Sequence, residues 1–303
     1  VMQEDTEALE GGTQVRIRTA PAVGLSIRRA GEDVAHGAVV LAKGERLTPA
    51  STGLAAGIGL DRLSVSRRPR VAMFSTGDEL VTPGTVAPEA MPPGAIYNSN
   101  RYFLRALLQR LGCEVTDLGI VPDSLDATVD ALRGAAAGHD VILTSGGVSV
   151  GEEDHVKPAV QQLGALDLWQ IAIKPGKPFA YGHVARAGGG AAHFIGLPGN
   201  PVSSFVTFLL LVRPFVLALQ GATKLDVPAV ALRADFALPK PDKRREFLRV
   251  RRNAQGGLDL FANQSSGVLT SMHWAQGLVD HPAGATIAAG DAVRFIPLAE
   301  LMA

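Results

Sequence analysis

Lys174 and Lys177 lie three residues apart in the turn of AIKPGKPFAYG (172–182), between apolar stretches of strand character. Proline and glycine make that turn stiff, so both ammonium groups can point the same way. Like charges held so close repel unless an anion lies between them. Carboxylates accompany them along the chain: Asp78 and Glu79 in STGDEL, Asp123 in VPDS, and Glu152, Glu153 and Asp154 closing TSGGVSVGEED. Gly146, Gly147 and Ser149 of that last loop let a ligand approach backbone N–H groups closely. In LPGNPVSS, Asn200 is a candidate cap, Pro201 takes the first helical position, and Ser203 and Ser204 add hydroxyls at a helix start that favours anions. Acids, ammonium groups and a helix start together suit a di- or polyanion bridged to the acids by a divalent cation, and magnesium held by one or two carboxylates plus phosphates has this composition.

Each motif also has a plain structural reading. Asp78 and Glu79 suit a solvated turn, and Asp123 before Ser124 suits a helix cap. The acids before residue 155 are favoured by a helix dipole in any case. LPGNPVSS suits a well-capped structural helix, and two lysines suit a solvated edge. Convergence of the loops is what would separate these readings.

The elements that must position them read as strand, loop, helix, repeated. VAMFST (71–76) and DVILTS (140–145) are continuous apolar runs of buried-strand type. NSNRYFLRALLQRLG carries Phe103, Leu104, Leu107, Leu108 and Leu111 on one face, with Asn98 to Asn100 as caps and Gly112 as a stop. EVTDLGIV, DLWQIAI, PFAYGHV and HFIG are further strands; helices are expected from Ser124 to Ala137, up to about Leu163, and from Pro201 to Gln220. Such alternation implies an α/β fold with a doubly wound, mainly parallel sheet. In such a sheet ligands bind outside the carboxyl ends of the strands, where every motif above falls.

Flanking segments have another rhythm. TQVRIRTAPAVGLSIRR (13–29) alternates on both sides of a Pro and Gly turn, EFLRVRRNAQGGLDLFAN forms two strands around Gly–Gly, and ATIAAGDAVRFIPL forms another strand pair. The expected division is an N-terminal β-rich part (1–37), a linker module (38–68), the α/β domain (69–221) and a β-barrel-like C-terminal domain (222–303). No solenoid-length repeat and no extended low-complexity tract interrupts it.

The 303 residues are 47% apolar with a formal net charge of zero, so nothing attracts nucleic acid or an anionic membrane globally. A membrane span needs roughly 18 apolar residues. The most apolar helix candidate is interrupted by Arg213 and Pro214, so no span is expected. Cys113 is the only cysteine, which rules out an internal disulfide and a thiolate cage and fits a reducing cytoplasm.

FSTGDEL, GGVSVGEEDHVK, IKPGKPFAYG and GLPGNPVSS, in this order with intervening helices, resemble the molybdopterin molybdenumtransferases, relatives of the E domain of gephyrin. The resemblance runs from VMQEDTE and RRAGEDV through the β tail. It implies an enzyme that takes adenylylated molybdopterin and molybdate, cleaves the adenylate in a magnesium-dependent step with release of AMP, and works as an elongated homodimer with its site at the dimer interface. Transient contact with other molybdenum cofactor biosynthesis proteins is also implied. By motif, Glu79, Asp123 and Asp154 are the acids for magnesium and pyrophosphate cleavage, and Asp33 and Thr6 are functional positions of the N-terminal part. Lys174 and Lys177 would hold molybdate or phosphate, helped by Asn200 and Ser203, with Arg249 and Ser266 as anion contacts in the tail. His155 stands where many relatives have tyrosine. The family carries a further N-terminal segment, including a loop with an essential acid, and the opening VMQEDTE is read as interior to a longer polypeptide. A molybdopterin adenylyltransferase, which would transfer AMP from ATP, and a gephyrin-like scaffold are the alternatives; the flanking β modules and KPGKP oppose the first, the lack of a long linker the second.

Overall fold

The computed structural model describes residues 1–148 and 154–302. Two compact units divide the chain, one spanning Val1–Leu63 and the other running from Ser64 onward. In the first, β1 (Thr6–Leu9) pairs antiparallel with β2 (Gln14–Ile17). The sequence placed this pairing across residues 13–29. The tighter reversal at Glu10–Gly12 wins, because two successive glycines take positive φ without a Cβ penalty, and the residues around Pro21 form turns instead. Helix α1 (Pro49–Gly57) begins at a capping box in which Thr48 and Ser51 satisfy each other's N–H groups.

The second unit opens with β3 (Arg70–Thr76), the short parallel pair β4 (Leu80–Val81) and β5 (Ile96–Tyr97), and α2 (Asn100–Arg110). Then follow β6 (Glu114–Val121), α3 (Leu125–Gly138), β7 (Val141–Ser145), α4 (Val156–Leu163), β8 (Gly164–Trp169), β9 (Ile173–Lys174), β10 (Ala180–Ala185) and β11 (Ala191–Leu197). Their sheet has the order β6-β3-β7-β11-β10-β8. Strands β6, β3, β7 and β11 are parallel neighbours; β10 is antiparallel to both β11 and β8. The sheet is thus mainly parallel, as the alternation of elements predicts.

Both faces are covered, and side-chain alternation decides which residue goes where. Val71, Met73, Val141, Leu143, Ile195 and Leu197 pack on one side with α2 and the helix after β11. Ala72, Phe74, Ile142 and Phe194 pack on the other with α3 and α4. That last helix begins as α5 (Pro201–Thr207), passes through a π-helical turn at Phe208–Val212, and ends as α6 (Arg213–Leu219). Pro214 has no N–H to give the carbonyl four residues back, and the wider turn, with the Arg213 N–H on the Phe208 carbonyl, absorbs it. The interruption by Arg213 and Pro214 therefore does not break the helix. Pro201–Leu219 is long and apolar enough to cross a bilayer by length and composition, contrary to the sequence expectation, yet it is mostly buried as a core helix.

The tail comprises β12 (Val230–Arg233), β13 (Arg245–Arg252), β14 (Leu258–Leu260), α7 (Thr270–Trp274), β15 (Gly277–His281), β16 (Ala292–Pro297) and α8 (Leu298–Met302). Its strands run in the order β12-β16-β15-β13-β14, and a bridge from Ala234 to Leu258 brings the two edges of the sheet together. Residues 284–289 contribute only a bridge, Leu238 to Ile287, where the sequence suggested a strand pairing with β16. Phe247, Leu278 and Ile296 face the α/β core, whereas Leu248, Val250, Val279 and Phe295 form a core of the tail's own.

Beside the helical cover, β10 and β11 carry a polar group of residues. The Tyr181 hydroxyl lies 3.2 Å from Nε2 of His183 and 3.0 Å from Nδ1 of His193, and His183 Nδ1 is 2.9 Å from Asp167. Burial, then the nearby His183 and Arg186, hold the His193 imidazole below its ordinary pKa. The unfolded chain thus takes up this proton at a higher pH than the folded one, and stability falls as pH drops below about 6.5. The thermal midpoint should decline between about pH 7 and pH 5.5, and His193→Phe should flatten that decline. An identical slope in the variant would remove His193 as its source.

Candidate functional site

Parallel pairing brings the ends of β3, β7 and β11 to one edge: Ser75 lies opposite Ser145, and Leu197 opposite Ser145 on its other side. A cavity of about 710 Å³ opens there. Its wall takes Thr76 from the end of β3, Glu79 and Asp123 from the loops after β3 and β6, Gly146, Gly147 and Asp154 from the loop after β7, and Asn200 and Ser203 from the start of α5. Asn98 ahead of α2, Asn100 at its first position and Gly267 of the tail also line it.

Hydrogen bonds tie these loops to one another. The Asp123 N–H points at Asp78 Oδ1 at 3.4 Å, and the Gly146 N–H donates to the Leu197 carbonyl at 3.1 Å. Asn100 Nδ2 donates to Ser145 Oγ at 2.8 Å and to the Gly199 carbonyl at 2.7 Å. The two glycines are required by space as well as by φ. A Cβ on Gly147 would stand 2.4 Å from Val156 Cγ2, and one on Gly146 would stand 2.5 Å from the Thr76 carbonyl oxygen. At these two positions the loop presents backbone to the cavity.

Glu79, Asp123 and Asp154 share the lining, but among the described residues no group of three or more His, Cys, Asp or Glu side chains is close enough to hold a metal. The expected trio of magnesium ligands is therefore not a preformed cage. Glu79 is exposed and folds back over Gly77, its carboxylate within 2.6 Å of where a Cβ would be. The donors present are oxygens, a hard set that suits magnesium completed by ligand phosphates and water. At the start of α5 the side chain of Asn200 makes no cap; its carbonyl receives the Ser204 N–H, and the Val202 N–H donates to the Ser266 carbonyl at 2.9 Å. Pro201 has no N–H, so the anion-attracting helix start is smaller than the sequence suggested, with buried Ser203 at the cavity.

The two-lysine turn departs most from expectation. Strand β9 leaves the α/β sheet and pairs in parallel with β13 of the tail, placing Lys174 opposite Glu246. Its ammonium lies 2.8 Å from Glu246 and 3.0 Å from Asp242, so two carboxylates already occupy it. The Glu246 bond, then that of Asp242, raise the Lys174 pKa against the cost of burial, and the Asp242 carboxyl is held below its usual range by the Arg244 N–H and by Lys174. Lys177 is exposed, and neither lysine lines the cavity. A pair of free ammonium groups clasping an anion is not what the turn builds. Gly176 packs against Thr207 of α5, which seats the turn on the helix.

Arg249, expected to touch an anion, is 1% exposed and bonds to the Ser271 hydroxyl and the carbonyls of Phe247 and Ser265. Burial lowers its pKa to about 10. It braces the loop that carries Ser266, whose carbonyl meets α5. Thr6 and Asp33 belong to the N-terminal unit: Thr6 opens β1 with its hydroxyl on the Gln3 carbonyl, and Asp33 is exposed. Ser149 lies outside the described residues, as do Glu152 and Glu153. Asn98, Asn100 and Thr76 were missed as site residues. Two asparagines within three residues, more than one helix cap needs, were the available signal.

Comparison with known proteins agrees with this architecture. Residues 1–59 match the MoeA N-terminal region (domain I and II), residues 72–218 a probable molybdopterin binding domain, and residues 231–298 the MoeA C-terminal region (domain IV). The chain is 41% identical over 265 residues to a molybdopterin molybdenumtransferase of Haemophilus influenzae, covering 86% of this chain and 63% of that protein. It is 36% identical over 284 residues to molybdopterin molybdenumtransferase 2 of Mycobacterium tuberculosis, covering 91% and 68%. The chain thus spans about two thirds of the length of these relatives. The crystal structure of the molybdopterin biosynthesis MoeA protein from Pyrococcus horikoshii superposes with a TM-score of 0.75 at 30% identity, covering 98% of this chain and 71% of that one.

Lys174 and Glu246 form a strut whose acid side chain is 7% exposed and whose lysine is 43% exposed. Solvent screens the lysine, so a double-mutant cycle with Lys174→Met and Glu246→Gln should give a coupling of about 1 kcal/mol in urea unfolding. Additive effects would show that the strut contributes nothing.

Proposed function

The chain belongs to the molybdopterin molybdenumtransferase family, and we propose that it acts in molybdenum cofactor biosynthesis by inserting molybdate into adenylylated molybdopterin with release of AMP. The observation that carries this reading is the convergence of Asp123, Asp154, the Gly146–Gly147 backbone and Ser203 on one cavity at the carboxyl edge of the sheet. The diphosphate of the substrate would lie there. Water attacks the adenylyl phosphorus, its proton passes to one of the aspartates, and the phosphoanhydride P–O bond breaks to leave AMP and the pterin phosphate. Magnesium, held by one or two of Glu79, Asp123 and Asp154 with phosphate oxygens, would supply neutralisation of the developing charge.

Molybdate then exchanges one oxygen, leaving as water with the two thiol protons, for the two sulfurs of the substrate's dithiolene. Those sulfurs belong to the substrate, because the single cysteine, Cys113, is buried and its thiol pKa is pushed up to about 12. Lys177, exposed beside the turn, is the side chain of KPGKP left for molybdate or phosphate, while Lys174 holds the turn to the tail. Asn200 and Ser266 are the proposed neighbours of the same anion. Thr6 and Asp33 would take part from the N-terminal unit in a homodimer, a cytoplasmic assembly in contact with other cofactor biosynthesis proteins.

The direct test supplies adenylylated molybdopterin, magnesium and molybdate and follows AMP. Asp154→Asn should lower molybdate-dependent AMP release by about 100-fold or more with the fold intact, and chelation of magnesium should abolish it. Undiminished turnover in Asp154→Asn would refute the assignment.

A further inference from the structure

We propose that Asn98 contacts the ligand of this cavity, its side-chain NH2 donating to an acceptor atom of the bound molecule. The inference rests on the cavity being the adenylate site proposed above. Asn98 is 2% exposed and lines the cavity. Its backbone N–H donates to the Val81 carbonyl at 2.9 Å, and its Oδ1 accepts the Arg101 N–H at 3.2 Å. The residue is therefore held from two sides, and the amide orientation is forced, since the reverse would set NH2 against N–H, donor against donor.

What remains is Nδ2, which is buried and has no hydrogen-bond partner among the described residues. A cap needs only an oxygen, and serine or aspartate supplies one as well. Asparagine adds a donor. Its neighbour two positions on shows the contrast: Asn100 spends its NH2 on Ser145 and Gly199, both protein groups, so its function is complete without a ligand. Thr76, 4% exposed on the same cavity, also has a hydroxyl with no partner among the described residues. A buried donor left unpaired is costly, and a fold keeps one where a ligand pairs it.

The experiment measures AMP binding by calorimetry, with magnesium, for wild type, Asn98→Ser and Asn98→Asp, alongside their thermal midpoints. Serine is neutral and can still cap; aspartate keeps the capping oxygen and the shape; both lose the side-chain NH2, and serine's O–H, on a side chain one atom shorter, does not reach the Nδ2 position. Each should bind AMP about tenfold more weakly, the scale of one hydrogen bond, with little change in midpoint. Affinity within twofold of wild type in Asn98→Ser overturns the proposal, as does a loss confined to Asn98→Asp, which would be charge repulsion. If Asn98→Ser is unstable, Asn98→Asp is read with adenosine as an uncharged probe, and unchanged affinity overturns the proposal. A wild-type protein that fails to bind AMP instead removes the adenylate reading of the cavity, and this assignment with it.

Discussion

Parallel hydrogen bonding among β3, β7 and β11 is the constraint from which the rest follows. Because the three strands end together, the loops after them meet, and residues about seventy and fifty positions apart come to share one wall. Meeting is not enough to make a site, since flexible loops lose entropy when they are ordered. Here the ordering is done in advance by protein bonds, above all by Asn100, which joins the end of β7 to the loop before α5 through a single buried amide. Small residues at Gly146 and Gly147 then keep the wall open, because any side chain there would collide with Thr76 or Val156.

The same argument explains which parts of the site were legible in the sequence. Glu79, Asp123, Asp154, Gly146, Gly147, Asn200 and Ser203 fall after strands that periodicity identifies, and strand ends in a parallel sheet share an edge, so their co-location follows from topology alone. The fates of Lys174 and Arg249 do not follow from it. Lys174 turns on where β9 pairs, and a two-residue strand has no periodicity to read. Arg249 turns on β13 having both faces covered, which an antiparallel strand of mixed polar and apolar residues does not announce.

The displaced lysine changes how the two halves of the second unit relate. A free ammonium pair would have made the turn a binding element in its own right. Paired with Glu246 and Asp242, Lys174 instead makes KPGKP a clasp between the α/β sheet and the tail, with Gly176 seated on α5. At the start of the same helix, Arg249 braces the loop whose Ser266 carbonyl takes the Val202 N–H. Both cationic residues act by holding the tail against α5. The tail therefore belongs to the site's framework even though only Gly267 of those residues reaches the cavity wall.

This arrangement bears on how an anion is held without a fixed cluster of cations around it. The described cavity wall carries acids, amides, hydroxyls and backbone N–H groups but no lysine or arginine; Lys174, Arg101 and Arg249 lie off it and are engaged elsewhere. Three carboxylates beside a phosphate would repel it, so the pocket is electrostatically incomplete for the ligand it is proposed to take. A cation arriving with the ligand, as proposed above, would resolve this; the described residues themselves hold no preformed group of three metal ligands. On the function proposed above, charge neutralisation would come with the substrate, and the carboxylates would act at the bond to be broken rather than in permanent retention of a metal.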